Sequence, residues 1–414
     1  GHKLQGDWQA ALGVTVRVHH LTWVSMNGDA KHDYPASIGY QSPWYKEYSY
    51  IENHFARLYT ALTRGNPEVR VGVIHPVESY WLLCGPNDKT GLKRQYLNTQ
   101  FLEMTRALTY SGVDFDFISE SLLPSLSEKG TNPLKVGKMQ YDCVVVPLML
   151  TMRSSTLERL NEFVKNGGKV ILLGKAPEFV DAKKSSAVLD AAKNWKNIDV
   201  DYVSLVDALE PFRFVKFTNI DTSMQCDLVH QLRTDGEYKW LFFCHGDDKK
   251  SDATWLPAMS RENAEVEISG AWDVTEYNTV TGEIYTPAYE IRNGKTVLKY
   301  TLFGEDSVLL RLKKSNENSK KVEGDKKKKL LPLKCADVSL SAQDMRTEYK
   351  EVADGVPYTL DEPNVILLDM AEYAFDGEEY LPEVDSIHIG DIGRARFYKG
   401  FEEQSQVQPW VPVP

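Results

Sequence analysis

The apolar positions of the first 66 residues predict two helices, with a strand and a long loop between them. The first helix ends at Gly13. Its apolar face is formed by Leu4, Trp8, Ala11 and Leu12. Val14–Val18 alternates between apolar and polar side chains, which predicts a well-buried strand. Pro43–Arg64 predicts the second helix, because one apolar stripe runs along it. That stripe is formed by Ile51, Phe55, Leu58 and Leu62.

Strands and helices alternate in residues 67–208. The predicted strands are Val69–Pro76, Val113–Ser119, Tyr141–Leu150 and Lys169–Gly174. Tyr141–Leu150 is strongly apolar and rich in β-branched residues, which is typical of a central parallel strand. Ser155 and Glu158 have the spacing of a capping box and predict a helix start. This alternation predicts an open parallel α/β sheet.

Short alternating segments without helical spacing fill residues 209–312 and predict a β-sandwich. Asn293-Gly294 has the composition of a tight hairpin turn between two of these segments. Residues 313–334 are rich in lysine and predict an exposed linker. Residues 335–414, which include the segment NVILLDMAEYAF, predict the incomplete start of a further β-sandwich.

The predicted fold class is therefore multidomain, α/β plus all-β. A length of 414 residues suggests two to four domains. A strand end followed by a long loop is how an α/β barrel builds its active face. We therefore predict that residues 1–66 are the C-terminal end of a (β/α)8 barrel. An accessory domain that contains the parallel sheet (67–208), the β-sandwich, the linker and the incomplete sandwich follow.

Composition and charge exclude several classes of partner. The net charge of −11 and the pI of about 5.4 argue against nucleic acid and against an anionic membrane surface. No apolar run has the roughly 20 residues that a membrane span needs. Five cysteines without CxxC spacing predict neither a disulfide framework nor a zinc site. The chain has no initiator Met or signal peptide and closes on VQPWVPVP, so we expect a fragment cut from a longer protein.

The candidate site lies at the end of the predicted first strand. His19 and His20 follow that strand directly, and aromatic residues crowd the loop behind them. Neutral histidine exchanges hydrogen bonds with sugar hydroxyls, and aromatic rings pack on the C–H face of a pyranose. A core histidine and space-filling aromatics are the alternative interpretation. The predicted substrate-binding residues are His19, His20, Trp23, Asp33, Tyr40 and Trp44.

We assign no catalytic role to the acidic residues or the cysteines of this sequence. Asp29 and Asp33 lie in a loop that suits an Asx-turn better than a calcium site. Glycoside hydrolysis needs two facing carboxylates, and the sequence supplies no convincing pair. As an amidotransferase the α/β unit would need a Cys on a strand–turn–helix elbow. Cys143 lies inside a predicted strand and Cys84 on a loop, so we predict that this unit is not catalytic.

Several segments in this order resemble a family of large glycoside hydrolases. The segments are GVTVRVHH, QSPWYKEY, HFARLYTALTRG, VRVGVIHP, YDCVVVP, LERLNEFVKNGGKVILLG and TVLKYTLFGEDSVLLRL. They are similar to the α-L-rhamnosidase-like enzymes of family 106 and their uncharacterised relatives. The resemblance implies a catalytic barrel, a flavodoxin-like domain similar to class I amidotransferases, and then β-sandwiches. The β-galactosidases of family 42 share the order of barrel and sheet.

The resemblance implies an inverting enzyme that is assisted by calcium and uses two glutamates on barrel strands. We expect those glutamates upstream of Gly1, so no catalytic residue, metal ligand or cofactor is assigned within this chain. The expected partner is a carbohydrate substrate. The alternative is a non-catalytic carbohydrate-binding module, or an assembly module in which the sheet domain forms a homo-oligomer.

Overall fold

The computed structural model describes residues 2–20, 38–39, 42, 44–246, 261–325, 370–375, 377–385, 388–389, 392–393 and 396. The chain divides into two compact units. One contains residues 1–17 and 50–329, and the other contains residues 18–49 and 330–414.

Two helices and a short strand open the structure. They are α1 (His2–Ala11), α2 (Ser49–Leu62) and β1 (Asn66–Pro67). Both helices were predicted, and Gly13 and Gly65 follow them with φ values of +101° and +57°, which glycine adopts without strain. The predicted stripe of α2 is confirmed, since Phe55, Leu58 and Leu62 are buried. The predicted face of α1 is correct at Ala11, which is buried, but wrong at Trp8 and Leu12, which are exposed. The buried residues of α1 are Gly6, Asp7, Ala10 and Ala11.

Residues 71–209 contain alternating strands and helices. The helices are α3 (Val77–Leu82), α4 (Asn87–Tyr110), α5 (Leu123–Leu126), α6 (Ser154–Lys165), α7 (Ala187–Ala191) and α8 (Tyr202–Leu209). The strands are β2 (Val71–Ile74), β3 (Phe115–Ile118), β4 (Leu134–Val136), β5 (Met139–Tyr141), β6 (Cys143–Val146), β7 (Thr151–Met152), β8 (Lys169–Leu173), β9 (Phe179–Val180), β10 (Lys183–Lys184) and β11 (Lys196–Ile198).

Five of these strands form a parallel sheet in the order β11-β8-β6-β2-β3. Numbered along the chain, this is the order 2-1-3-4-5 of a doubly wound sheet. The strand β6 is central and buried at every position, as its apolar sequence predicted. The predicted parallel sheet is thus confirmed.

The predicted capping box of α6 is wrong. Arg153 is the N-cap, Ser155 lies within the first turn, and no side chain of the cap residue bonds the helix. Carboxylates from other segments serve instead: Glu120 accepts from the Arg153 amide and Asp181 from the Ser154 amide. Glu158 pairs with a lysine of the neighbouring loop. Glu120 and Asp181 thus take the place of the predicted capping box. Because they lie far from the helix in sequence, the spacing of residues within the helix does not predict them.

The remaining strands of the first unit form two antiparallel sheets, as predicted for a β-sandwich. They are β12 (Val215–Asn219), β13 (Leu228–Asp235), β14 (Tyr238–His245), β15 (Arg261–Ser269), β16 (Trp272–Tyr277), β17 (Ile284–Tyr285), β18 (Tyr289–Arg292), β19 (Lys295–Phe303), β20 (Ser307–Lys314) and β21 (Lys320–Val322). One sheet has the order β1-β13-β14-β20-β16-β17 and the other β12-β15-β19-β18-β21. Asn293 and Gly294 both have positive φ at the turn between β18 and β19, which confirms that hairpin.

The helices α1 and α2 cover the outer face of the six-stranded sheet. Side chains of both helices form one buried cluster with that face, which includes Phe55, Leu58, Trp240, Phe242 and Leu309. Burial on both faces explains why β14 lacks the alternation of a half-exposed strand. The strand β13 was not predicted, because polar residues such as Gln231 and Arg233 are buried in it.

Two predictions about the chain's organisation are corrected. No closed barrel is present in the described part of the chain, and Val14–Val18 forms no strand. Val14, Val16 and Val18 are 38%, 72% and 89% exposed, so the predicted burial is also wrong. Alternation favours an extended chain, but a strand also needs a neighbour that accepts its hydrogen bonds. Part of the predicted linker is ordered: Lys313 and Lys314 end β20, and Lys320–Val322 pairs with β18.

The described part of the second unit contains one antiparallel pair, β22 (Met370–Tyr373) and β23 (Leu381–Asp385). The assignment of residues 335–414 to a further sandwich stays a prediction, as do the domain boundaries.

Candidate functional site

The structure describes three of the six predicted substrate-binding residues. His19 is partly buried and His20 exposed, and both lie on backbone without strand pairing. The His19 ring meets the Tyr48 ring edge-on, with centroids 6.0 Å apart. Trp44 is 54% exposed in a turn. Trp23, Asp33 and Tyr40 lie outside the described residues, so their joint placement with the histidines stays a prediction.

At the crevice where a doubly wound sheet binds ligands, two backbone amides are hydrogen-bonded to a serine. This crevice lies beyond the carboxyl ends of β2 and β6, where the strand order reverses. The buried Ser79 hydroxyl accepts hydrogen bonds from the amides of Leu150 and Thr151, at 2.9 and 3.1 Å. It also donates to the Thr151 carbonyl. These amides are therefore used within the protein and do not face a ligand.

Neither Cys84 nor Cys143 has the setting of a nucleophile. Cys143 is buried in the central strand, and burial raises the pKa of its thiol to about 12. Cys84 is exposed beyond the end of α3 and lies on no strand–turn–helix elbow. That the sheet domain is not catalytic stays a prediction.

A cavity of about 520 Å³ lies beside α2, against the outer face of the six-stranded sheet. Its floor is apolar and includes Ala61, Trp240 and Leu309. Aromatic and charged side chains form the walls, and the loop between β16 and β17 forms part of the rim. The wall residues include Arg57, Arg64, Asp235, Tyr238, Tyr277, Glu283 and Arg311. The volume suits one or two sugar rings, and the combination of aromatic and polar walls is typical of small-molecule sites.

Cross-strand pairing places the aromatic wall. Trp240 on β14 lies directly opposite Arg311 on β20, and Arg311 lies opposite Thr275 on β16. The rings of Trp240 and Tyr277 meet edge-on with centroids 5.1 Å apart. The Arg311 guanidinium lies over the rings of Tyr238 and Tyr277, at 4.7 and 5.4 Å from their centroids. The arginine and its two tyrosines thus form one layered wall.

Two other arginines hold the cavity's shape. Arg57 donates to the carbonyls of Thr279 and Val280, at 2.8 and 2.9 Å, and so fixes the rim loop to α2. Arg64 pairs with Asp235, and this hydrogen bond holds the pKa of the Asp235 carboxyl below its usual value. Both guanidinium groups therefore have partners within the protein.

A second group of polar residues lines a cavity of about 560 Å³ next to the edge strand β3. Burial and the neighbouring Asp116 raise the pKa of Asp114 to about 8. Burial also raises the pKa of Asp116, against the hydrogen bond it accepts from Tyr141. These carboxyls face no described arrangement of substrate-binding side chains, and we assign them no chemistry.

The described residues show neither a metal cluster nor a membrane span. Within the described ranges, no three His, Cys, Asp or Glu side chains are grouped so that they could hold a metal ion. None of the described helices combines the length and apolarity that crossing a membrane requires.

Comparison with known proteins finds similarity at the level of structure alone. Neither the protein-family models nor the curated proteins give a match. The fold is similar to that of a rhamnosidase from Novosphingobium sp. PP1Y, with a TM-score of 0.53 and 15% identity. This alignment covers 78% of the present chain and 30% of the rhamnosidase chain.

Two further neighbours are an exo-carrageenase of glycoside hydrolase family 42 and a β-galactosidase. A β-galactosidase from Bacillus circulans sp. alkalophilus has a TM-score of 0.46 and 11% identity, over 70% of this chain and 48% of that one. An exo-carrageenase from Bacteroides ovatus has a TM-score of 0.39 and 14% identity, over 63% and 31%. These two scores are too low to establish a shared fold, whereas the rhamnosidase score shows one. The chain spans less than half the length of all three neighbours.

Sequence reasoning missed the cavity beside α2. Alternation along YKWLFFCH places Tyr238 and Trp240 on one face of β14, but it does not tell which face receives a helix. Arg311 faces the cavity because β20 lies between β14 and β16, which is a matter of strand order. Two features of the sequence could have indicated this cavity. One is the aromatic-rich strand β14, and the other is Arg311, the single arginine in the apolar run of β20.

Proposed function

We propose that this protein is part of a glycoside hydrolase that acts on plant or microbial oligosaccharides or polysaccharides, with α-L-rhamnosidase-like activity as the specific expectation. The observation that carries this proposal is the fold shared with the Novosphingobium rhamnosidase over 78% of the chain. The parallel sheet, the two-sheet sandwich and the helices on its outer face all lie in one compact unit.

The catalytic carboxylates are proposed to lie upstream of Gly1, in the part of the enzyme that this chain does not span. His19, His20, Trp23, Asp33, Tyr40 and Trp44 are proposed to contact substrate rather than to catalyse its hydrolysis. The edge-on packing of His19 against Tyr48 supports this, since it orients the imidazole. Within the described residues, no three His, Cys, Asp or Glu side chains are grouped around a common point, and no catalytic step is assigned to calcium.

Hydrolysis by the enzyme that includes the upstream sequence tests the proposal. Polysaccharide fractions rich in rhamnose or galactose are incubated with that protein, and released monosaccharides are identified by chromatography. We expect release of a monosaccharide, with KM raised and kcat little changed in His19→Ala and Trp44→Ala. Arg106→Ala, an exposed residue of α4 on the sheet domain, is the matched control. Absence of release from every fraction would contradict the proposal.

A second candidate function is self-association through the sheet domain. α3 and α4 expose large apolar side chains, with Trp81 63% and Leu92 84% exposed. Tyr80, Leu82 and Tyr96 are also exposed, and an apolar cavity of about 830 Å³ lies beside Leu82, Leu92 and Tyr96. Exposed apolar patches of this kind mark interaction sites. Sedimentation velocity should show an oligomer that Leu92→Glu dissociates, whereas Leu189→Glu, on α7, should not. A monomer at all concentrations would exclude this role.

A further inference from the structure

The cavity beside α2 contains an arginine without a polar partner. In the described part of the chain, Arg311 makes no side-chain hydrogen bond, and no carboxylate lies within 4.0 Å of its guanidinium. Its contacts are the rings of Tyr238 and Tyr277. Arginine carries five N–H donors in a fork that matches a carboxylate, and it stays charged at every accessible pH. From this geometry we propose that the cavity is a subsite for a sugar that carries a carboxylate, that is, a uronic acid residue.

The charge of the lining favours an anion. Three arginines face two carboxylates, those of Asp235 and Glu283. Asp235 already accepts from Arg64 and from the Trp240 indole, and Glu283 accepts from the Thr281 hydroxyl. Glu237, on which the charge of Arg311 also acts, pairs with Lys313. Arg57 is held by two backbone carbonyls, so its charge is also uncompensated by an acid. A carboxylate beside Arg311 would balance this excess.

The apolar walls favour a sugar over a small inorganic anion. Trp240, Tyr277 and Leu309 provide a surface against which the C–H face of a pyranose can pack. The volume of about 520 Å³ is also far larger than an isolated phosphate or sulfate needs. The carboxylate would select the acidic sugar, while the rings would supply contact area that neutral sugars also use. This inference rests on the proposal that the protein binds carbohydrate, and it names the substrate class for one subsite.

Arg311 is half-buried, and this position strengthens an ion pair between its guanidinium and the carboxylate of a ligand. Water screens an ion pair less strongly in such a position than at an open surface. The tyrosines hold the side chain in place, so little conformational freedom is lost when a ligand binds. We expect binding of an acidic disaccharide to be about tenfold to a hundredfold tighter than that of its neutral ester, the range of charge-assisted hydrogen bonds.

Isothermal titration calorimetry with two matched ligands tests this proposal. The ligands are α-1,4-digalacturonate and its dimethyl ester, which has the same rings without the charge. The variants are Arg311→Gln, which removes the charge, and Arg311→Lys, which keeps the charge but removes the fork. Arg292→Gln on β18 is the control, because that arginine pairs with Glu265 and Glu290 on the other sheet. Circular dichroism and thermal melting establish that each variant is folded.

The expected result is that the acid binds tighter than the ester to the unmodified protein and to Arg292→Gln. Arg311→Gln should bind the two equally, and Arg311→Lys should keep part of the difference. Equal binding of acid and ester by the unmodified protein would overturn the carboxylate assignment while leaving carbohydrate binding intact. Binding of neither would overturn the subsite, whatever the enzyme hydrolyses. The comparison of ligands on the unmodified protein keeps the test valid if Arg311→Gln does not fold.

Discussion

His54 Nε2 lies 2.6 Å from Asp7 Oδ1, and both side chains are 1% exposed. Lys3 donates to the second carboxylate oxygen of Asp7, also at 2.6 Å. One buried carboxylate thus joins α1 to α2 beneath the cluster that attaches both helices to the sandwich. Burial acts to raise the pKa of Asp7, but the hydrogen bonds and charges of His54 and Lys3 outweigh it and hold that pKa below its usual value.

Replacing this carboxylate should destabilise the protein. Asp7→Ala leaves His54 and Lys3 without their shared acceptor, and loss of one partner of a buried pair costs about 3–5 kcal/mol. The measurement is the free energy of unfolding from urea titration. Asp190→Ala on α7, which breaks an exposed pair with Lys193, is the control and should cost far less. Equal costs for the two variants would contradict the account of Asp7.

The same carboxylate predicts acid sensitivity. Because the folded pKa of Asp7 is lowered, its contribution is fully present above the unfolded value of about 3.9. It is lost as the pH falls through the lower folded pKa. Unfolding free energies measured from pH 5 downward should therefore fall more steeply for the unmodified protein than for Asp7→Asn.

Asp114 should behave in the opposite way. Burial, and then the charge of Asp116, raise its pKa to about 8 in the folded protein. A raised pKa stabilises below about pH 3.9, and this contribution is lost as the pH rises toward 8. Asp114→Asn, which cannot ionise, should be more stable than the unmodified protein by about 1–2 kcal/mol at pH 8 and by little at pH 4, after allowance for its partial exposure. Asp207→Asn, an exposed change on α8, should show no such trend.

His230 adds a second loss of stability in acid. It is buried in the sandwich with its ring 6.0 Å from that of Phe217, and burial lowers its pKa to about 4. The unfolded chain binds a proton near pH 6.5 and the folded chain does not, so stability falls by about 1.4 kcal/mol per pH unit between 6.5 and 4. His230→Leu should flatten the unfolding free energy in this window. An unchanged slope would show that the imidazole is protonated in the fold.

Thiol reactivity tests the assignment of the sheet domain as non-catalytic. Cys84 is exposed, whereas the buried Cys143 has its pKa raised to about 12. A maleimide at neutral pH should label Cys84 within minutes and Cys143 only on unfolding, as mass spectrometry can follow. Any hydrolase activity should survive Cys84→Ser and Cys143→Ser. Loss of activity in a folded Cys143→Ser protein would revive an amidotransferase-like role.

Elements with a long apolar pattern were predicted correctly from the sequence. Segments whose burial depends on tertiary neighbours were not. The buried run in β6 and the stripe of α2 were correct, because a long apolar pattern leaves few alternative structures. Val14–Val18 failed, since alternation does not supply a pairing neighbour. The face of α1 failed because Gly6 and Asp7 are buried there, the first by close approach to Phe55 and the second by its pairing with His54. Neither residue type predicts burial from pattern alone.

The candidate sites show the same contrast between what a local sequence pattern predicts and what depends on tertiary contacts. His19 and Trp44 are predicted from their chemistry, but the other predicted members of their site, Trp23, Asp33 and Tyr40, lie outside the described residues. Arg311 is not predicted, because an arginine in the run SVLLRLKK suggests only the end of a strand. Strand order brings it against Tyr238 and Tyr277, and such order is set by contacts far apart in sequence.

Hydrolysis of 4-nitrophenyl glycosides is the most direct test of the central proposal. The assay compares the 414-residue chain with the same chain extended by its encoded upstream sequence, using α-L-rhamnoside and β-D-galactoside among other substrates. We predict no turnover by the 414-residue chain and turnover of at least one glycoside by the extended protein. Turnover by the shorter chain alone, or none by the extended protein with any glycoside, would contradict the assignment of the chain as the supporting portion of a glycoside hydrolase.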